Sequence, residues 1–149
     1  MIDALPERMD EDVPAAIPGS YTNAQNIRDR AFAFGCQVVK FCQSVYQAGG
    51  VGRIMVPQLI NCSTSVPAML EEARAAESRR DFISKCSIAL KECREAWTRL
   101  RVCEACRIGP SEDVRELIQE ASQLVSIIGA IVRNTRRRNL QFTIENIEN

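Results

Sequence analysis

The chain has 149 residues, 46% of them hydrophobic, with seven glycines, six prolines and no histidine. That is enough for one domain with a real core and too short for two comfortable ones, and the sparse turn formers suit helices better than a sandwich or barrel. Formal net charge is zero, but this is a cancellation. Residues 1–20 carry Asp3, Glu7, Asp10, Glu11 and Asp12 against Arg8, a net of −4, and residues 139–149 carry Glu145 and Glu148, a net of −2, which leaves +6 between them. A basic body thus lies between acidic ends. No apolar run approaches the ~20 residues that span a bilayer, and no secretory signal opens the chain. A cytoplasmic protein without a membrane role is expected, its seven cysteines reduced and mostly packed as small hydrophobes.

Residues 1–20 lack apolar periodicity, hold three prolines and a block of acids, and read as a mobile arm. Thr22 or Asn23 can cap a first helix, along which Ile27, Ala31, Phe34, Val38, Phe41, Cys42 and Val45 recur at three- and four-residue steps until Gly49-Gly50. A second helix is expected from about Gly52–Met55, with Pro57 in its first turn and a stripe of Leu59, Cys62, Val66, Met69, Leu70 and Ala73. Pro67 falls inside that stripe, where a missing amide predicts a kink. Ser78 and Asp81 form a capping-box variant opening a third helix, with core positions Phe82, Cys86, Ala89, Cys93, Trp97, Leu100 and Cys103. Gly109-Pro110 stops it, and Ser111 is expected to cap a fourth, whose stripe runs Val114, Leu117, Ala121, Leu124, Val125, Ile128, Ile131 and Val132 and ends in Arg133 and Arg136-Arg137-Arg138. Short links between long helices predict an all-α, antiparallel up-down-up-down four-helix bundle over 21–138, with an arm before it and a short tail, 139–149, after it.

Gln58-Leu59, Ser65-Val66-Pro67, Lys91-Glu92-Cys93-Arg94-Glu95 and the helix from Gln119 to Arg133 carry a resemblance as well as a pattern. The chain resembles a bacterial four-helix bundle family (S23-like) related to the proteins encoded within intervening sequences of 23S rRNA genes, from about Ile27 to Arg138. It departs from that family at Ile60-Asn61, where two arginines are common, and at Met69 and Glu71-Glu72-Ala73. The resemblance implies a homo-oligomer, a homopentameric ring. Through the relatives that serve as accessory variability proteins of diversity-generating retroelements, it also implies nucleic-acid binding beside a reverse transcriptase. It makes Ser65, Pro67, Glu72, Glu92, Arg94, Glu95 and Trp97 structural residues, the kink at Pro67 among them.

Chemistry is poorly provided for. Cys103-Glu104-Ala105-Cys106 has C-x-x-C spacing, but without histidine it lacks zinc partners, and it lies at a helix C-terminus, the wrong end of the dipole for an activated thiol. The absence of histidine also removes the commonest general base and nucleophile pairs. Glu71, Glu72, Glu92 and Glu95 could face one another across helices two and three, but pairing with Arg74, Lys91 and Arg94 to fix register is the simpler reading. No metal, cofactor or catalytic residue is expected, and no enzyme.

The arginines are the functional lead. Antiparallel packing sets the end of helix four beside the start of helix three, so Arg79 and Arg80 should join Arg133, Arg136, Arg137 and Arg138 as a phosphate-attracting site. Arg28 and Arg30 are expected at the other end. The competing reading is a solvated rim that compensates the helix dipole, with the acidic tails folded over it. Leu140, Phe142, Ile144 and Ile147 in the tail suggest either a docking segment or a frayed end. Two functions follow. One is a homo-oligomeric adaptor that binds RNA or a nucleic-acid-processing partner such as a reverse transcriptase through the arginine-rich end. The other is an oligomeric scaffold that binds only protein.

Overall fold

A computed structural model describes the backbone of residues 27–147 and the side chains of residues 27–141. The arm expected over 1–20 and the Thr22 or Asn23 cap lie outside them. Four helices account for almost all of the described chain: α1 (Ile27–Ala48), α2 (Gly52–Arg74), α3 (Arg79–Ala105) and α4 (Ser111–Ile147). Each packs on its two neighbours in the order α1, α2, α3, α4 and back to α1, the α1–α4 seam being the least extensive. Each linking contact joins an early residue of one helix to a late residue of its neighbour: Arg28 to Glu71, Lys85 to Glu72, and Arg115 to Glu104. The bundle is therefore antiparallel throughout, as the short links predict.

Phe34, Val38, Leu59, Val66, Leu100, Val114, Leu124 and Ile128 are fully buried and fill the centre. Most stripe positions face this core, and the differences are at its margin. Met69, Phe82, Trp97, Val125 and Ile131 are only partly covered, while Ala96, outside the expected stripe, is fully buried. An alanine lets α3 approach its neighbours where an indole would hold them apart. Trp97 instead lies at the edge, with the Arg101 guanidinium 4.6 Å above its ring.

The turns follow from local chemistry. Gly49 and Gly50 take φ of 82° and 67° and end α1, with the Gly49 amide bonded to the carbonyls of Val45 and Tyr46. Ser78 accepts a 3.1 Å bond from the Asp81 amide, and Asp81 reaches back at 3.4 Å to the amide of Glu77 rather than to that of Ser78. Past α3, the Ile108 amide bonds to the Cys103 carbonyl at 2.8 Å and that of Arg107 to Glu104 at 3.1 Å. This is a Schellman closure with Arg107 (φ 55°) where glycine is usual. Ser111 is not the cap expected of it: Val114 donates to the Pro110 carbonyl at 3.1 Å, so Pro110 holds the cap position and Ser111 begins the helix.

One expectation for α2 is refined. Pro57 lies in the second turn, since the helix begins at Gly52. Helix α2 runs unbroken through Pro67, which leaves the Ser63 carbonyl without its helical donor. The freed carbonyl faces Gly35 of α1, where an added methyl would lie 3.4 Å from that oxygen and 3.7 Å from Pro67 Cγ. Thr64 bonds back to Ile60 at 2.7 Å and Ser65 to Asn61 at 2.7 Å. Pro67 and the Ser63 carbonyl thus shape the face on which α1 rests, while Ser65 bonds within α2.

Candidate nucleic-acid interface

Helix α4 does not stop at the arginine block. No glycine or proline follows Gly129, nothing in that stretch opposes a helix, and α4 continues to Ile147, nine residues past Arg138. The tail expected over 139–149 is therefore helical as far as Ile147. Arg133, Arg136, Arg137 and Arg138 sit within the helix, and none lies in its last turn. Dipole compensation acts over the last turn only, so it does not account for them.

Arg133, Arg136 and Arg137 stand three and four residues apart and share one face of α4. Arg136 Nη2 donates to Ser87 Oγ of α3 at 3.2 Å. The Arg133 guanidinium lies over Gly129, where a methyl would come within 3.2 Å of Nη1 and 3.9 Å of Leu90 Cδ1. Both arginines thus lean along the α3–α4 groove. Arg138 follows a further ~100° around the helix. Arg79 and Arg80 open α3, seven and eight residues before Ser87, or ~10–12 Å along the axis. The six residues are not one point cluster: they form a strip, with Arg133, Arg136 and Arg137 at one end and Arg79 and Arg80 at the other. All six are exposed. Among the described residues no carboxylate pairs with Arg80, Arg133, Arg136 or Arg137.

The topology overturns the expected position of Arg28 and Arg30. In an up-down-up-down bundle the first and third helices start at the same end, so α1 begins on the side of the arginine strip. Both residues are engaged there. Arg28 lies 3.8 Å from Glu71. Arg30 grips Glu120 through two bonds of 2.6 and 2.8 Å and also donates to Gln123, which ties α1 to α4. Ser87 and Glu120 are the site residues that sequence reasoning missed, since nothing in local spacing marks a contact across helices.

Glu72 pairs with Lys85 across α2 and α3 at 2.8 Å, and Glu95 with Arg99 one turn on at 2.7 Å. The Glu72 pair crosses between helices whereas the Glu95 pair lies within α3, and neither uses Arg74, Lys91 or Arg94. Glu92 is half-buried and Arg94 exposed. Cys103 is buried and Cys106 exposed, and burial, followed by the nearby Cys106, pushes the Cys103 thiol up, away from an activated thiolate. No group of three or more potential ligands among the described residues is arranged to hold a metal ion. No helix among them is long and apolar enough to cross a membrane.

Comparison with known proteins agrees with this architecture. A crystal structure from Bacteroides thetaiotaomicron, described as a protein of unknown function from the S23 ribosomal protein family, superposes with a TM-score of 0.66 at 26% identity. The superposition covers 72% of this chain and 98% of that one. No curated protein sequence matches. The family model for the 23S rRNA-intervening sequence protein matches residues 24–130, ending three residues before Arg133. With most of the bundle inside that match, the chain belongs to the 23S rRNA-intervening sequence protein family.

Proposed function

We propose that this chain is a non-enzymatic, self-associating helical-bundle adaptor of the cytoplasm that binds RNA through the strip formed by Arg79, Arg80 and Arg133–Arg138. The observation that carries the reading is the one face of α4 on which Arg133, Arg136 and Arg137 stand exposed without a carboxylate partner among the described residues. Arginines that serve bundle stability here are paired, as Arg30 is with Glu120 and Arg99 with Glu95. Unpaired guanidinium groups in a row attract phosphate oxygens, and releasing the phosphates' counterions drives binding. The family's name, which links its members to 23S rRNA intervening sequences, is in keeping with an RNA-proximal role. The test is binding to a structured RNA with Arg133, Arg136 and Arg137 each changed to Glu. The proposal expects affinity to fall at least tenfold, and an unchanged affinity would end it.

Self-association, as a pentameric ring by resemblance, has separate support in exposed apolar side chains. Phe32 is 65% and Ile54 73% exposed, and contact with a second copy would remove these large apolar side chains from water. Light scattering should give a mass several times 16.7 kDa, reduced by Phe32→Glu. An oligomer that ignores RNA would favour the protein-only scaffold.

A further inference from the structure

The acidic segment at the start of the sequence joins the bundle on the side of the arginine strip. Helix α1 begins at Ile27, and Arg28, the next residue, reaches Glu71 late in α2. Beside it Glu72 holds Lys85 of α3, and two residues on Ser87 accepts from Arg136 of α4. These links set the start of α1 on the strip's side of the molecule. Arg30 meets Gln123 of α4, thirteen residues before Arg136, so residues 1–26 attach within roughly 20 Å of Arg136 along the axis. Helices α1 and α4 are neighbours, and neighbouring helix axes stand about 8–10 Å apart.

Charge and reach are matched. Residues 1–26 carry five carboxylates, all between Asp3 and Asp12, against the single Arg8. The strip offers Arg133, Arg136 and Arg137. The chain from Asp12 to Ile27 can span up to about 50 Å, several times the gap between neighbouring helices. A tethered segment with such reach meets its site at an effective concentration in the millimolar range, enough for weak, solvent-exposed ion pairs to populate the contact at low salt.

We propose that the acidic segment within residues 1–20 docks in cis on the Arg133–Arg136–Arg137 face and competes there with polyanions, so that the strip is self-screened until a stronger ligand displaces the segment. The competition rests on the nucleic-acid reading above; the docking does not. A self-screened strip admits only ligands that present several phosphates at once, since a single phosphate cannot match five tethered carboxylates.

The test uses the full chain and a variant of the same length in which Asp3, Asp10 and Asp12 become Asn and Glu7 and Glu11 become Gln. The side-chain Nε–H signals of Arg133, Arg136 and Arg137 are compared in arginine-labelled protein at about 50 mM and about 500 mM salt. The affinity of each protein for an oligouridylate is measured in the same buffers. The expected result is signals that differ between the two proteins at low salt and coincide at high salt, with the neutralised chain binding oligouridylate roughly three- to tenfold more tightly at low salt, the scale of a few exposed charge pairs. Identical arginine signals at low salt would overturn the docking, whatever the oligouridylate does. Differing signals with equal oligouridylate affinities would overturn the competition, and with it the proposal. Differing signals with no oligouridylate bound by either protein would uphold the docking and defeat the nucleic-acid reading alone.

Discussion

Arg136 of α4 donates to Ser87 Oγ of α3 at 3.2 Å while eleven residues of helix still follow it. The contact sets the arginine block on a helix flank, alongside another helix, and not at a terminus where the backbone dipole would explain it. Among the described residues no carboxylate lies opposite Arg133, Arg136 or Arg137, and their availability to a ligand underlies the functional proposal.

The ion pair between Arg30 and Glu120 closes the least extensive seam of the bundle. It is bidentate, at 2.6 and 2.8 Å, with side chains only 13% and 25% exposed. Removing one partner of such a pair strands the other in poor solvent. Arg30→Ala should therefore cost about 1–3 kcal/mol, and Arg30→Lys, which loses the planar fork, should recover only part of it. Urea denaturation of both variants and of Glu120→Gln measures this. A cost below about 0.5 kcal/mol for all three, the range of ordinary surface changes, would mean that the clasp contributes nothing.

Gly109 and Arg107 make opposite predictions in one turn. At Gly109 φ is +80°, and an added methyl would come 2.5 Å from Phe41 Cε2. Gly109→Ala combines backbone strain with overpacking, and should lose about 2–4 kcal/mol. Arg107 already holds φ of 55° at the Schellman position, so Arg107→Gly should gain about 1 kcal/mol. Thermal unfolding of the two variants should shift in opposite directions. A shift in the same direction would show that this turn is not fixed as described.

Buried thiols give the stability an alkaline limit. Burial pushes Cys42 and Cys93 up to about 12 and Cys62 and Cys86 up to about 11, from an ordinary 9.0. Below pH 9 these thiols are protonated in both the folded and the unfolded chain, and their burial is uncompromised. Above it the unfolded chain ionises first, so stability falls as pH rises towards the folded values, by up to about 1.4 kcal/mol per pH unit for each thiol. Cys93→Ala should make that decline shallower, as measured by urea midpoints from pH 8 to 11, and an identical decline would contradict the assignment. At neutral pH only Cys36 and Cys106, the exposed two of the seven, should react rapidly with a thiol reagent.

The bundle was legible because its signals are local. Three- and four-residue steps marked the buried faces, Gly49-Gly50 and Gly109 marked turns, and Ser78 with Asp81 marked a helix start. What crossed between helices was not legible. Ala96 is buried where Trp97 was expected because interhelical spacing, not hydrophobicity, decides which residue fits. Glu72 chose Lys85, and Glu120 chose Arg30, from another helix. The continuation of α4 past Arg138 did have a signal, the absence of any breaker after Gly129, but the arginines there also look like terminal cations, and that pattern competes with it. The position of Arg28 and Arg30 needed only the rule that odd-numbered helices of such a bundle start together. The arginine strip was visible as composition; its lean toward α3, and the missing carboxylate partners of Arg133, Arg136 and Arg137 among the described residues, were not.

The most direct test of the nucleic-acid proposal is a salt titration of binding to a structured RNA, by fluorescence anisotropy, for the native chain and for the chain with Arg133, Arg136 and Arg137 changed to Glu. The account predicts that log affinity falls linearly with log salt for the native chain. In the variant the slope should flatten by about one unit for each phosphate that is no longer neutralised, while the oligomer mass stays the same. Absent binding, or binding with the same salt slope in both proteins, would contradict it.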